Sequence, residues 1–238
     1  MMGGRALLRS LRSSLSSSPS SYSSILRRRS CNRRFASSDA LQSQSSSPPR
    51  SSPLESRLRT ILRNEIQYQY DFAPPHQPVT EFDRFVVEDL PGQQCVILKG
   101  KSADDENIKI DATMFDGYAV ETRFNDDDTE EVVLLHISMV VDIKRGKKND
   151  SMGVVCSAWP DSLEIQKVFT YKHDNPTAQF MGPDIKNLSN ELRTGFYEFL
   201  NARGINSDLS RFLHQYMMNK KRIELIQWLG KVQSYIEK

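Results

Sequence analysis

The chain has 238 residues, 38% of them hydrophobic and 26% charged, with a formal net charge of +2, which allows one substantial core or at most two small ones and excludes a many-domain protein. The small net charge hides a division: residues 1–52 carry 9 Lys/Arg against 1 acid, whereas the remainder carries 23 against 29. The longest apolar run, Val132 to Ile143, is interrupted by His136, Ser138 and Asp142 and falls short of the roughly 20 residues that a spanning helix needs, so no membrane span is expected.

The basic segment holds 19 Ser and no Glu, with Arg5, Arg9, Arg12, Arg27, Arg28, Arg29, Arg33 and Arg34. That is the Arg-rich, Ser-rich, acid-poor bias of an organellar transit peptide. Ala6, Leu7, Leu8, Leu11 and Leu15 form one apolar face if residues 6–15 are helical, a pattern suited to import receptors and a negative-inside potential. Arg33-Arg34-Phe35-Ala36-Ser37 is similar to a plant-type mitochondrial processing site cut after Phe35. Residues 1–35 are therefore expected to be a mitochondrial transit peptide, and residues 36–52, rich in Ser, Pro and Gln, a linker without structure of its own.

Structure is expected from residue 53 onward. Ser52-Pro53-Leu54-Glu55 supplies an N-cap, a proline at the first helical position and the acid of a capping box. Leu54, Leu58, Ile61, Leu62 and Ile66 follow at helical spacing until Ala73-Pro74-Pro75 ends the helix. From Glu81 to Lys172 the period becomes strand-like, with runs at Phe82–Val87, Cys95–Lys99, Ile108–Phe115, Val132–Ile143, Gly153–Ala158 and Leu163–Tyr171. Turn-forming or charged segments separate them, including Pro91-Gly92, Asp116-Gly117, the acidic stretch Asn125–Glu131 and Arg145–Asp150, and the pattern predicts an antiparallel meander. In the fourth run Val133, Leu135, Ile137, Met139, Val141 and Ile143 share one face, which must be covered. Cover is predicted from a helix over Asp184–Arg203, with Ile185, Leu188, Leu192, Phe196, Phe199 and Leu200 on one stripe and a stop at Gly204. A second helix, capped by Ser207 and bent near Asn219, carries Leu209, Phe212, Leu213, Tyr216, Ile223, Ile226, Leu229, Val232 and Ile236. The expected class is α+β, with about six or seven strands and helices segregated to one side.

Acidity is concentrated in residues 81–131, which hold 15 Asp/Glu and 5 Lys/Arg. Asp104, Asp105 and Glu106 form one cluster; Asp126, Asp127 and Asp128 with Glu130 and Glu131 form another. Both are expected in strand connections, where carboxylates summed over a surface attract Lys/Arg-rich proteins. An EF-hand is excluded, because Glu131 stands where that loop requires Gly and Ile137 at its closing carboxylate; no metal site is assigned. Lys144, Arg145, Lys147 and Lys148 are the candidates for phosphate or RNA contact in a hairpin connection, and Lys220-Lys221-Arg222 is read as an exposed helix face. His76, His136, His173 and His214 are scattered, with no HExxH, CxxC, GxSxG, P-loop or GxGxxG pattern, so no catalytic residue and no cofactor is assigned. Cys95 and Cys156 lie in strand-like runs and are expected to act as small hydrophobes. Asn149-Asp150-Ser151 and Asn187-Leu188-Ser189 fit the glycosylation pattern but are expected to stay unmodified.

The run Leu192, Tyr197, Phe199, Leu200, Arg203-Gly204-Ile205, Leu209, Phe212-Leu213, Tyr216, Lys220, Glu224, Trp228-Leu229 and Val232, together with Ile108–Phe115 and the acidic strand starts, resembles the mitochondrial glycoprotein family of acidic matrix proteins. The resemblance covers residues 54–238. It implies a strongly twisted antiparallel sheet of about seven strands, flanked by one N-terminal and two to three C-terminal helices and assembled into a doughnut-shaped homotrimer. It further implies a non-enzymatic matrix protein that binds basic partners, ribosomal proteins among them, and supports mitochondrial translation and oxidative phosphorylation. The net charge of −6 after residue 52 is milder than that of strongly acidic members. Two alternatives from the residues are an RNA-associated translation or processing factor using 144–148 and a hydrolase with an unrecognised site.

Overall fold

The computed structural model describes residues 52–102, 106–125, 128–146, 150–172 and 180–237, with the backbone alone at 123–125, 128 and 129. The chain divides into two compact units, Met1–Arg57 and Leu58–Lys238. Of the first, only its last residues are described, and they open helix α1, Pro53–Phe72. The capping box forms there as expected: Ser52 N–H donates to Glu55 Oε2 (2.8 Å) and Glu55 N–H to Ser52 Oγ (3.2 Å). Along α1 only Leu62 is buried, while Leu58, Ile61, Tyr68, Tyr70 and Phe72 stay exposed.

The second unit is built on a sheet of eight strands: β1 Glu81–Phe82, β2 Phe85–Glu88, β3 Cys95–Lys101, β4 Glu106–Thr113, β5 Gly117–Asn125, β6 Asp128–Arg145, β7 Asp150–Trp159 and β8 Ser162–Lys172. The run expected at Phe82–Val87 is instead a tight hairpin, β1 against β2, turned at Asp83 with φ +50°. All pairings are antiparallel in the order β1-β2-β3-β4-β6-β7-β8, and among the described residues β5 pairs only with β6. One row of neighbours, Val87, Leu98, Ile110, Val141, Val154 and Val168, shows how the alternation of each strand is aligned across the sheet. The predicted stripe of β6 is confirmed where the sheet is wide: Ile137, Met139 and Val141 are wholly buried and Ile143 nearly so.

The cover comes from α2, Asn190–Asn201, and α3, Ser207–Ile236, with α3 lying on β7 and β8. Leu200, Ile205, Leu209, Leu213, Tyr216 and Met217 join the sheet residues in one core. Each such side chain removed from water contributes about 1.5–3 kcal/mol. The helix expected over Asp184–Arg203 is divided. Asp184 caps a single 3-10 turn, Ile185–Asn187, Leu188 is extended, and Ser189 starts α2 by accepting from Leu192 N–H (3.3 Å). Leu192 is consequently exposed. Asn206, not Ser207, caps α3, its Oδ1 accepting from the N–H groups of Asp208 and Leu209. No break occurs at Asn219, whose side chain instead binds the backbone of His76 in both directions (2.8 Å each).

Gly204 ends α2 as predicted. Ile205 N–H returns to Leu200 O (3.0 Å) and Gly204 N–H to Asn201 O (2.9 Å), a Schellman closure with Leu200 and Ile205 buried together. The glycine has φ +76°, and a Cβ there would lie 2.9 Å from Asp83 Oδ2. Gly204→Ala is expected to destabilise the fold by about 1–2 kcal/mol, read as a lower urea midpoint with an unchanged slope.

Candidate binding surface

Strands β4 and β5 lie one after the other along the same long strand. Residues 106–112 pair with 139–145 of β6, and residues 117–125 pair with 128–136. The segment Asp116-Gly117, expected as a turn, is a kink between two halves of one hairpin arm. Its geometry is held by Asp116 N–H donating to His136 O (3.1 Å), Ser138 N–H to Thr113 Oγ1 (3.0 Å) and Met114 N–H to Gln94 O (2.8 Å). The His136 Nδ1 and Asp116 Oδ1 atoms are 2.8 Å apart. Desolvation pushes the Asp116 carboxyl up, but the hydrogen bonds from His136 and Ser138 outweigh it and leave the group below its ordinary value.

Beyond this root β7 pairs with β6 only from Ile137 onward, and β3 reaches β4 but not β5. The distal half, Gly117–His136, is therefore a two-stranded arm. At about 3.3 Å per residue, its nine paired residues extend roughly 30 Å. The arm carries Glu121, Glu130 and Glu131, all exposed. Among the described residues none of the three enters an ion pair. Asp128 begins β6; Asp126 and Asp127, like Asp104 and Asp105, lie outside the described residues.

Glu106 was expected to share the exposed acidic face, and the structure corrects this. It is wholly buried. Arg203 grips both its oxygens, Nε to Oε2 at 2.7 Å and Nη2 to Oε1 at 3.0 Å, and Arg145 Nε donates to Oε1 at 2.6 Å. Arg203 Nη1 also donates to Phe199 O (2.8 Å), with the guanidinium 3.5 Å from the Phe199 ring centroid. The hydrogen bond from Arg203, with Arg145 adding to it and burial opposing both, holds the Glu106 carboxyl below its ordinary value. Arg145 is thus tied along one edge although its side chain is 68% exposed. Lys144 is half-buried, and Lys147 and Lys148 lie outside the described residues.

A second clasp corrects the reading of residues 220–222 as an exposed face. Lys220 is 3% exposed and its Nζ contacts Asp89 Oδ1, Leu90 O and Glu224 Oε1. Tyr216 donates its hydroxyl to Asp89 Oδ2 (2.9 Å), and Gly92 N–H donates to Glu224 Oε1 (2.7 Å). Burial, then the bond to Asp89, pushes the Tyr216 hydroxyl well up, and burial alone pulls the neighbouring Lys221 ammonium down. These contacts bind the β2–β3 turn to α3.

Of the four histidines, His136 and His214 come together at the end of β7, while His76 lies apart against Asn219 and His173 lies outside the described residues. His136 packs on Trp159 at 4.8 Å between centroids, and His214 Nε2 donates to Ala158 O (3.1 Å) beside Phe115. Ser210 Oγ, wholly buried, donates to the same β7–β8 turn at Trp159 O. Desolvation lowers the His214 pKa against the opposing bond to Ala158. Cys156 is buried and its thiol is pushed up to about 12 by desolvation, while Cys95 is half-buried. Among the described residues no group of three or more His, Cys, Asp or Glu is placed to hold a metal ion, and no helix is long and apolar enough to cross a membrane.

A sequence profile described as mitochondrial glycoprotein matches residues 62–236. An uncharacterized mitochondrial protein of Arabidopsis thaliana is 29% identical over 196 residues, covering 77% of this chain and 72% of that protein. The mitochondrial acidic protein mam33 of Schizosaccharomyces pombe is 26% identical over 220 residues, covering 76% and 78%. Among solved structures, the Trypanosoma brucei p22 protein superposes with a TM-score of 0.62 at 19% identity, over 78% of this chain and all of that one. A hypothetical Leishmania major protein, described as a sequence homologue of human p32, gives 0.60 at 16%, over 77% and 99%. These two likenesses concern the fold.

Glu106→Gln leaves two guanidinium groups facing a neutral amide and is expected to cost about 3–5 kcal/mol. Because the folded carboxyl titrates below its ordinary 4.5, its contribution is complete above that pH and is lost as the pH falls through the folded value. Chemical denaturation at neutral pH checks the size. The double variant Glu106→Leu, Arg203→Met should be less destabilised than either single change. For His214 the folded pKa is depressed, so the unfolded chain takes the proton first and stability declines as the pH drops below about 6.5. His214→Gln should flatten the urea-midpoint profile between neutral and mildly acidic pH.

Proposed function

The chain belongs to the mitochondrial glycoprotein family, a mitochondrial acidic binding protein by that membership, and we propose that it is a non-enzymatic matrix scaffold whose acidic arm holds basic partner proteins. Its substrates in this sense are Lys/Arg-rich proteins, ribosomal proteins among them, and the consequence is support of mitochondrial translation and oxidative phosphorylation. Residues 1–35 are the import signal, 36–52 the linker and 53–238 the working domain.

The observation that carries this reading is the exposure of Glu121, Glu130 and Glu131 on the arm, next in sequence to Asp126, Asp127 and Asp128. Like charges gathered on a two-stranded element focus a negative potential outward, raising encounter rates with cationic proteins and making them fall with ionic strength. RNA contact through residues 144–148 gains no support from Arg145, whose Nε is held by the buried Glu106. A homotrimer is part of the proposal. It is supported by the apolar residues of α1 that lack cover, Leu58, Ile61, Tyr68 and Phe72, and by Trp228 and Tyr235 of α3, 57% and 80% exposed.

Two measurements test it. Multi-angle light scattering should give three times the chain's 27.3 kDa; a monomer mass would remove the trimer. Charge reversal at Glu121, Glu130 and Glu131 together should abolish low-salt retention of a basic ribosomal protein while leaving the thermal midpoint unchanged. Retention equal to wild type would reject the acidic arm as the binding surface.

A further inference from the structure

The arm offers more than charge. Among the described residues, β5 has β6 as its only partner and residues 128–136 of β6 have only β5. On each strand every second residue therefore turns its N–H and C=O outward with no strand to receive them. Two-stranded hairpins are marginal in water unless a further strand or a packing partner is added. Here one face of the ribbon is apolar: Tyr118 pairs across with Leu135 and Val120 with Val133. Tyr118 and Val120 are 53% and 51% exposed and Val133 is 36% exposed. The same parity along β6 is buried from Ile137 onward, so this apolar stripe continues the core beyond the point at which the helices cover it.

Open edges of this kind invite pairing with another chain, and the side chains beside them state which. Glu130 and Glu131 are consecutive and so point to opposite faces of β6, and Glu121 stands on β5. A second arm approaching this edge would set carboxylate against carboxylate, which is unfavourable for directly opposed strands. A strand carrying Lys or Arg would meet a carboxylate on either face, and any apolar residue at alternate positions would rest beside Val133 and Leu135, which Val120 and Tyr118 flank from the other side. We propose that the open edge of β6 over residues 129–136 takes up an extended, Lys/Arg-rich segment of a partner protein by strand addition, main-chain hydrogen bonds supplying affinity and the flanking carboxylates the choice of sequence. This rests on the acidic-arm reading and specifies how the partner is held.

The test uses the full chain and a short peptide of alternating Lys and Val, followed by fluorescence anisotropy at low salt. A second peptide of the same sequence is N-methylated at alternate residues, which keeps every charge and removes the donors on one edge. Strand addition predicts that N-methylation weakens binding by roughly tenfold or more, that Glu130→Lys with Glu131→Lys weakens the unmodified peptide comparably, and that the bound peptide gains extended-strand amide infrared absorption. Equal binding of both peptides, both lost on charge reversal, overturns strand addition but leaves the acidic arm standing. Binding of neither peptide overturns both. If a Thr122→Cys variant cross-links copy to copy through the arm and excess peptide does not suppress the product, a second copy occupies the edge and the proposal falls.

Discussion

Strand β6 sets the terms for the rest of the molecule. It is 18 residues long, against a usual strand of five or six, and neither the sheet nor the helices extend along its whole length. Where β4 and β7 flank it, its inward face is closed by α2 and α3, and Ile137, Met139 and Val141 vanish from solvent. Where only β5 accompanies it, the same face meets water. The boundary between the two regimes is one residue wide, at His136, which Asp116 and Trp159 hold from either side. A stable body and an exposed arm are thus two segments of one strand.

Among the described residues two buried ion pairs join the helical layer to the sheet, and each does so at a different margin. Glu106 ties the start of β4 to the residue just beyond α2, and Lys220 ties the β2–β3 turn to the middle of α3. Buried ions are weak contributors relative to a well-packed apolar alternative, but removing one partner strands the other in a low-dielectric site. Their value here is directional. Leu, Ile and Met contacts would tolerate α3 sliding on the sheet, whereas Ser210 and His214 on the β7–β8 turn and Lys220 on the β2–β3 turn fix its position along the strands.

What the sequence disclosed was whatever is encoded within a few residues. The capping box at Ser52–Glu55, the alternation of β6 and the glycine stop at Gly204 each depend on neighbours no more than a turn or two away, and each was legible. What it concealed was pairing at a distance. Glu106 sits in an acidic triplet and reads as part of a charged loop, yet its partners are 39 and 97 residues on. Lys220, inside a basic triplet, finds Asp89 131 residues back. Strand β5 escaped for a different reason. Its short alternation of Tyr118, Val120 and Thr122 is bounded by Asp116-Gly117 and by the acids at 126–128, so turn and charge signals outweighed a strand of average hydrophobicity. The arm, and with it the setting of Glu121, Glu130 and Glu131, could be found only once β5 was seen to continue β4 along β6.

The position of α3 after every strand has a kinetic side. Its 30 residues complete the core formed by strands that end at Lys172, so many stabilising contacts join segments far apart in sequence. High contact order slows folding, and a chain produced from its N-terminus exposes the whole meander, apolar face uncovered, until α3 follows it. The native state is consequently reached by a route on which the sheet is most adhesive just before it is sealed, and truncations that spare every strand but remove α3 from Leu209 onward would leave a molecule arrested at that point.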